Sequence, residues 1–336
     1  MQSYLLKRLI FMIFTLWGIT VVSFVMLQLA PGSPIEMKFM QDQSGAMGSD
    51  REVSKETIER LRKQYHLDKP ILVRYGLWLK DIVQLDFGTS FSDNRPVIEK
   101  IKERIPVSLT FGITGIIVAL LVGVPLGLLA AAKKNTTLDY SITFFSIALY
   151  ALPSYVLAIL LLTFLGGGDF LDLFPIYGIQ SDNYSQLSFF GKILDRLHHF
   201  VLPAICYSIG GIAFITQQQR ASLLDNFQQD YIRTARAKGV SERSVLFKHA
   251  FRNSLIPTLT ILGAMVPGIL GASVIIESVF SIPGLGLLAY EALLQRDYPT
   301  IMANFTIGAF LSLLGILLSD VLYVIADPRI SFGSSK

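Results

Sequence analysis

Six apolar stretches, 9–30, 107–131, 140–166, 200–216, 255–280 and 301–326, govern what this chain can become. Of its 29 basic and 25 acidic residues, only Glu277 and Asp320 fall inside them. About 20 apolar residues, each rising about 1.5 Å, cross the roughly 30 Å hydrocarbon core of a bilayer. A helix is the form in which such a segment satisfies its own backbone in lipid. The chain is therefore expected to be an all-α polytopic membrane protein with six transmembrane helices. A hydrophobic share of 52% and a charged share of 16% agree, and a soluble enzyme, a disulfide scaffold and a disordered chain are excluded. The single cysteine, Cys206, lies in the fourth stretch, so neither an intrachain disulfide nor a thiolate metal cluster is expected.

Lys7 and Arg8 before the first stretch resemble a signal-peptide start, but the run that follows is 22 residues long. A signal core has about 7–15, and no small-x-small cleavage site ends this one. Residues 1–30 are read as an N-terminal tail and a retained first transmembrane helix. With the N-terminus inside, the short cytoplasmic pieces carry 13 Lys and Arg against 5 acids, and the outer pieces 16 against 18. The density in short loops favours cytoplasmic termini, because the positive-inside rule is carried by loops under about 60 residues. Lys100, Lys102 and Arg104, just before the second span, run against it. This division leaves 31–106 as an extracytoplasmic segment, 107–326 as a transmembrane core with a cytoplasmic loop at 217–254, and 327–336 as a cytoplasmic tail.

The 31–106 segment is long enough to form a small extracytoplasmic subdomain. Ser54 suits the cap of a helix with Ile58, Leu61 and Tyr65 on one face, and Pro70 the first turn of another carrying Val73, Leu77 and Trp78. Asp86-Phe87-Gly88 reads as a turn. The segment either packs over the bundle or docks an external partner. Pro125, Pro153, Pro203, Pro257 and Pro267 each remove a helical hydrogen bond, so kinks around a central cavity and ordinary helix tilt are both open. Gly123-x-x-x-Gly127 permits close helix approach.

Reactive chemistry is scarce. No Lys precedes Ser or Thr, so the phosphate-cradling G-x-x-x-x-G-K-[ST] loop is absent. Spans one to four hold no ionisable coupling group of the kind proton-driven carriers keep in the bundle, which counts against a secondary peptide symporter. His198-His199 lack a suitably spaced third ligand, and no metal site is expected. The energy source is expected on another polypeptide. A membrane scaffold without flux remains a further reading.

The 217–254 loop is the most structured polar sequence. Leu223, Leu224, Phe227, Tyr231 and Ala235 recur at helical spacing, Gly239 suits the left-handed conformation that ends a helix, and Ser241 suits the cap of a second one bearing Val245, Phe247, Ala250 and Phe251. Its bases imitate a DNA-binding helix-turn-helix, but both ends enter membrane spans, which denies a recognition helix its reach. No nucleic-acid partner is expected. A docking knob for a cytoplasmic partner fits.

The run Asp230-Tyr-Ile-Arg-Thr-Ala-Arg-Ala-Lys-Gly239, continuing through Phe247-Lys-His-Ala-Phe-Arg-Asn-Ser-Leu-Ile-Pro257, resembles the coupling motif of ABC importer permeases in the dipeptide/oligopeptide/nickel branch. The general form is E-A-A, three residues, then Gly; here Arg233-Thr234-Ala235 stand in the first places and Gly239 is retained. The likeness extends to Tyr4–Arg8, Ala30-Pro31-Gly32-Ser33-Pro34, Leu85–Ser90, Arg104-Ile105-Pro106, Val201-Leu202-Pro203, Glu277–Gly286, Arg296-Asp297-Tyr298-Pro299 and Asp320–Arg329.

The resemblance implies a type I ABC importer permease fold in the bacterial cytoplasmic (inner) membrane, of the first-permease type. It also implies a heterodimer with a second homologous permease, two ATP-binding subunits that hold the ATP and Mg, and an extracytoplasmic substrate-binding protein. No cofactor is then expected on this chain, and it is a transport subunit rather than an enzyme. The implied cargo is di- or oligopeptide, with nickel or glutathione as alternatives. Tyr231, Arg233, Thr234, Ala235, Arg236, Ala237, Gly239, His249, Arg252 and Asn253 would contact an ATPase. Pro153, Met265, Pro267 and Ser273 would line the path. Glu277 would either hold an outer gate or make a structural bond to a loop amide.

Overall fold

A computed structural model describes residues 2–29, 68–167, 170–270 and 273–326. The expected helix at Ser54–Tyr65, the Ala30–Pro34 piece and the 327–336 tail lie outside the described residues. Among those described the fold is helical, with isolated bridges at Thr89–Pro96 and Gly166–Phe174 in place of strands. The helices are α1 (Gln2–Leu29), α2 (Ile71–Val83), α3 (Val97–Ala132), α4 (Thr137–Ala151), α5 (Ser154–Leu165), α6 (Phe189–Phe227), α7 (Asp230–Ala237), α8 (Arg252–Leu270), α9 (Val274–Val279), α10 (Leu285–Leu294) and α11 (Tyr298–Ala326).

Four of them, α1, α3, α6 and α11, are long and apolar enough to cross a membrane, and the α4–α5 pair makes a fifth if its two arms count as one span. The expected third span, 140–166, is thus broken at Pro153, with a bend of 101°. Proline explains the break: Pro153 has no N–H to continue α4, and its ring drives the preceding residue out of the helical region, as the extended Leu152 (ψ 123°) records. The expected 255–280 span is likewise divided. α8 takes 19 residues, with Pro257 and Pro267 inside it, and α9 starts afresh where the Ser273 hydroxyl caps the Ile276 N–H at 3.3 Å. The second and fourth spans run longer than their apolar cores, to 36 and 39 residues.

The chain divides into two compact units, residues 1–105 with 288–310, and 106–287 with 311–336. In the first, α2 meets α1 where the Tyr75 and Thr20 hydroxyls share a hydrogen bond of 3.0 Å. Pro70 precedes α2 as its cap residue rather than lying in its first turn. The Asp86-Phe87-Gly88 turn forms as expected, with Gly88 at φ +74° and its N–H donated to Asp86. Buried Asp297, at the head of α11, accepts hydrogen bonds from the Ser90 hydroxyl, the Phe91 N–H (2.9 Å) and the Thr300 hydroxyl (2.7 Å). Lys100 donates to Ser90 at 3.0 Å and pairs with Asp93 at 2.9 Å. Two short sequence pieces about two hundred residues apart are thereby tied together.

In the second unit, α3 and α6 touch along small residues. A Cβ added at Gly127 would lie 2.6 Å from the Thr216 carbonyl oxygen, and one at Gly123 would lie 3.0 Å from that of Ile212. The Gly-x-x-x-Gly pair is therefore a real contact. Phe111, Ala158, Leu202, Cys206, Ile276, Phe280 and Ile282 form one core cluster. A second, of Ala131, Leu223, Ile232, Ala235, Val245 and Ala250, underlies the 217–254 loop.

Candidate functional site

That second cluster gives the 217–254 loop a packed base, and the loop stands on it as a platform. α7 turns Ile232 and Ala235 inward and leaves Tyr231, Arg233, Thr234, Arg236 and Ala237 exposed. Gly239, at φ +75°, ends the helix in a Schellman arrangement: its N–H reaches the Arg236 carbonyl at 2.9 Å, and that of Val240 reaches Ala235 at 3.2 Å. Val240 closes the motif by packing into the cluster. A Cβ at Gly239 would meet nothing within 4 Å, so the position faces open space.

Across the glycine turn, the Arg236 guanidinium grips Glu242 with both arms, at 2.9 and 3.1 Å, and lies over the Phe227 ring at 5.8 Å. Tyr231 donates to Asn226 at 2.6 Å, the Thr234 hydroxyl bonds back to the Asp230 carbonyl at 2.9 Å, and Arg233 pairs loosely with Asp230 at 3.5 Å. His249 is half-buried, while Arg252 and Asn253 are exposed.

Both helices of the loop differ from expectation: the one expected across Leu223–Ala235 is split, α6 ending at Phe227 and α7 starting at Asp230 after the extended Gln229. Ser241 makes no side-chain cap, and after a short turn at Glu242–Ser244 the segment Val245–Phe251 is wound as a π-helix that runs straight into α8. Val245 and Ala250, five residues apart, both face the core, as i→i+5 winding places them.

The platform is anchored to the bundle by side chains that sequence spacing did not single out. Gln219 on α6, fully buried, donates to the Ser254 hydroxyl at 2.8 Å and accepts from Thr258 at 2.6 Å, both on α8. One residue further along α6, Arg220 grips buried Asp139 on α4 at 2.6 and 2.9 Å. A charge just outside a hydrophobic run is the only local signal either partner gives.

The five expected path residues do not form one cluster. Pro153 heads α5 at the bend. Met265 lies beside Gly211 of α6, and Pro267 packs against Gly315 of α11. Tyr207 brings Ser273 and Glu277 together, donating to Glu277 at 3.2 Å while its oxygen accepts the Ser273 N–H at 3.4 Å. Glu277 is fully buried. It accepts from Ser108 at 2.8 Å and from the Leu287 N–H at 2.9 Å; Ser108 in turn accepts the Leu285 N–H at 2.8 Å. The amide that Glu277 bonds thus belongs to the first turn of α10 rather than to the loop before it. A Cβ at Gly284 would lie 2.4 Å from the Glu277 carboxyl, so the loop closes over that group only with glycine there. His198 and His199 bond to the carbonyls of Leu173 and Asp195. Among the described residues no group of three or more His, Cys, Asp or Glu side chains is placed to hold a metal ion.

Comparison with known proteins identifies the family. A family profile described as binding-protein-dependent transport system inner membrane component matches residues 123–332, and the N-terminal profile of such components matches 1–112. The chain belongs to this family. The permease is 39% identical over 333 residues to the oligopeptide transport system permease protein AppB of Bacillus subtilis, covering 99% of this chain and 100% of the relative. It is 37% identical over 363 residues to the inner membrane ABC transporter permease protein YejB of Escherichia coli O157:H7, covering 99% of each. With the dipeptide transport system permease protein DppB of Lactococcus lactis it shares 36% over 331 residues, covering 98% and 99%.

Proposed function

We propose that this permease imports di- and oligopeptides as one of two membrane subunits of an ATP-driven transporter, its α7 surface docking a cytoplasmic ATPase. The observation that carries the reading is the platform itself: an exposed face of Tyr231, Arg233, Thr234, Arg236 and Ala237, ended by Gly239 and rooted in α6 and α8. The peptide cargo is supported by the names of the relatives. A second permease, two ATPases holding ATP and Mg, and an extracytoplasmic binding protein complete the complex, with the termini of this chain cytoplasmic. In this reading the ATP and Mg are the ATPases' alone, and transport asks no cofactor of this chain.

Movement of the ATPases on nucleotide binding displaces the platform, and Gln219 and Arg220 pass the displacement to α8 and α4. Only the difference in docking free energy between inward- and outward-facing states drives the change. Arg236 has a double role, bracing the turn through Glu242 and presenting charge to the partner; Ala235 acts from beneath by keeping the platform close-packed. Pro153, Met265, Pro267 and Ser273 border the path, and Glu277 holds the segment that closes its outer end.

The test is reconstitution of the complex, with uptake of labelled peptides and binding-protein-stimulated ATP hydrolysis measured in parallel. Gly239→Trp places a large side chain in the open space beyond the turn and should abolish both while leaving membrane insertion intact. Normal uptake in that variant refutes the docking assignment, and uptake of nickel or glutathione in preference to peptides refutes the cargo.

A further inference from the structure

α2 carries more apolar surface than its contact with α1 covers. No residue of α2 is buried, and Leu72 and Val83 are 83% and 77% exposed. At about 100° per residue, Leu72, Leu79 and Val83 fall within an arc of about 40°. That stripe adjoins the face turned toward α1, where Tyr75 and Trp78 meet Phe24 at ring separations of 5.3 and 5.6 Å. Arg74, Lys80 and Asp81 lie off the stripe.

The place of contact fixes the surroundings. Thr20 and Phe24 lie in the last turns of the Leu6–Met26 apolar run of α1, which presents Val22, Val25 and Met26 outward, each at least 44% exposed. In a membrane protein such a surface faces lipid. The stripe on α2 lies beside the same end of that run, with the aromatic pair Tyr75 and Trp78 between it and Arg74 on the helix, the kind of residue that membrane boundaries favour.

We propose that α2 is an interfacial membrane helix: Leu72, Leu79 and Val83 enter the acyl-chain boundary at the C-terminal end of α1, with Trp78 and Tyr75 at headgroup level and Arg74, Lys80 and Asp81 toward water. The occupant of the stripe is lipid. This adds a third role to the sequence expectation that the segment packs over the bundle or docks an external partner, and it anchors the outer loop to the membrane beside α1.

The chain has two tryptophans, so Trp17→Phe leaves Trp78 as the sole reporter in the full-length permease. In vesicles of phosphatidylcholine brominated near the headgroup, Trp78 emission should fall by roughly half, as suits a ring about 5–10 Å below the surface, and it should fall less with bromine near the acyl-chain end. Adding Leu72→Glu and Val83→Glu should relieve the quenching. No loss with either lipid overturns the proposal. In the assembled transporter, a benzophenone amino acid at residue 72 or 83 should give no protein adduct on illumination. An adduct to the second permease or to the binding protein would show that protein, rather than lipid, covers the stripe.

Discussion

Removing Arg220 should destabilise the permease out of proportion to the size of the side chain, because it strands a buried charge. The Asp139 carboxylate is fully buried and held by Arg220 at 2.6 and 2.9 Å; its remaining partners are the Asn135 N–H at 3.0 Å and the Thr143 hydroxyl at 3.5 Å. Breaking a buried ion pair from one side costs about 3–5 kcal/mol. The Arg220 side chain is 24% exposed, so water reaches one flank and a value near the lower end, about 3 kcal/mol, is expected for Arg220→Met. At about 2 °C per kcal/mol for a large domain, the midpoint should fall by about 6 °C. The assay is thermal unfolding of the purified permease in lipid nanodiscs, as a double-mutant cycle with Asp139→Leu. The double variant, which removes both charges, should return to within about 1 kcal/mol of the parent, giving a coupling of about 2 kcal/mol or more. Strictly additive single effects would refute the claim that these groups stabilise one another.

Gly284→Ala should cost about 1–3 kcal/mol, since its Cβ would sit 2.4 Å from the Glu277 carboxyl and displace it from its donors; a midpoint equal to the parent's would show that the loop yields freely. Gln219→Leu leaves the Ser254 and Thr258 hydroxyls short of partners and should cost about 1–3 kcal/mol, with Thr258→Val added to it restoring part of the loss; unfolding midpoints of the single and double variants decide. Burial raises the Asp93 carboxyl, but the Lys100 ammonium and the Arg95 N–H, with Ser90, outweigh it and hold the group below the usual carboxylate range. Its stabilisation is therefore complete above its unfolded value of about 4 and lost as pH falls through the folded one. Asp93→Asn should be less stable than the parent at neutral pH, with the gap closing as the pH falls below the unfolded value of about 4.

The glycine end of α7 is legible because its signal is local, a residue free to take φ +75°; the helical spacing from Leu223 to Ala235 is not one helix, because α6 ends at Phe227 and α7 starts at Asp230. The second half of the loop was not legible, since nothing in Ser241–Phe251 announces π winding; that is decided by which residues fit against Leu223 and Ala131. The expected path residues show the same limit. Pro153 offers a kink or mere tilt by its own chemistry, and the 101° bend depends on what each arm packs against. Glu277 stood out as a lone acid in an apolar run, but its partners Ser108 and Tyr207 lie 169 and 70 residues away.

The membrane class and the glycine end of α7 were determined by sequence alone, because transfer of an apolar run into lipid and the ending of a helix at glycine are free energies of neighbouring residues. Tertiary structure decided which scarce polar groups meet. Asp297 with Ser90 and Lys100, Asp139 with Arg220, and Gln219 with Ser254 and Thr258 join segments 10 to 207 residues apart. In an interior with little water, each buried polar group must find a partner, and only the packed helices bring one within reach.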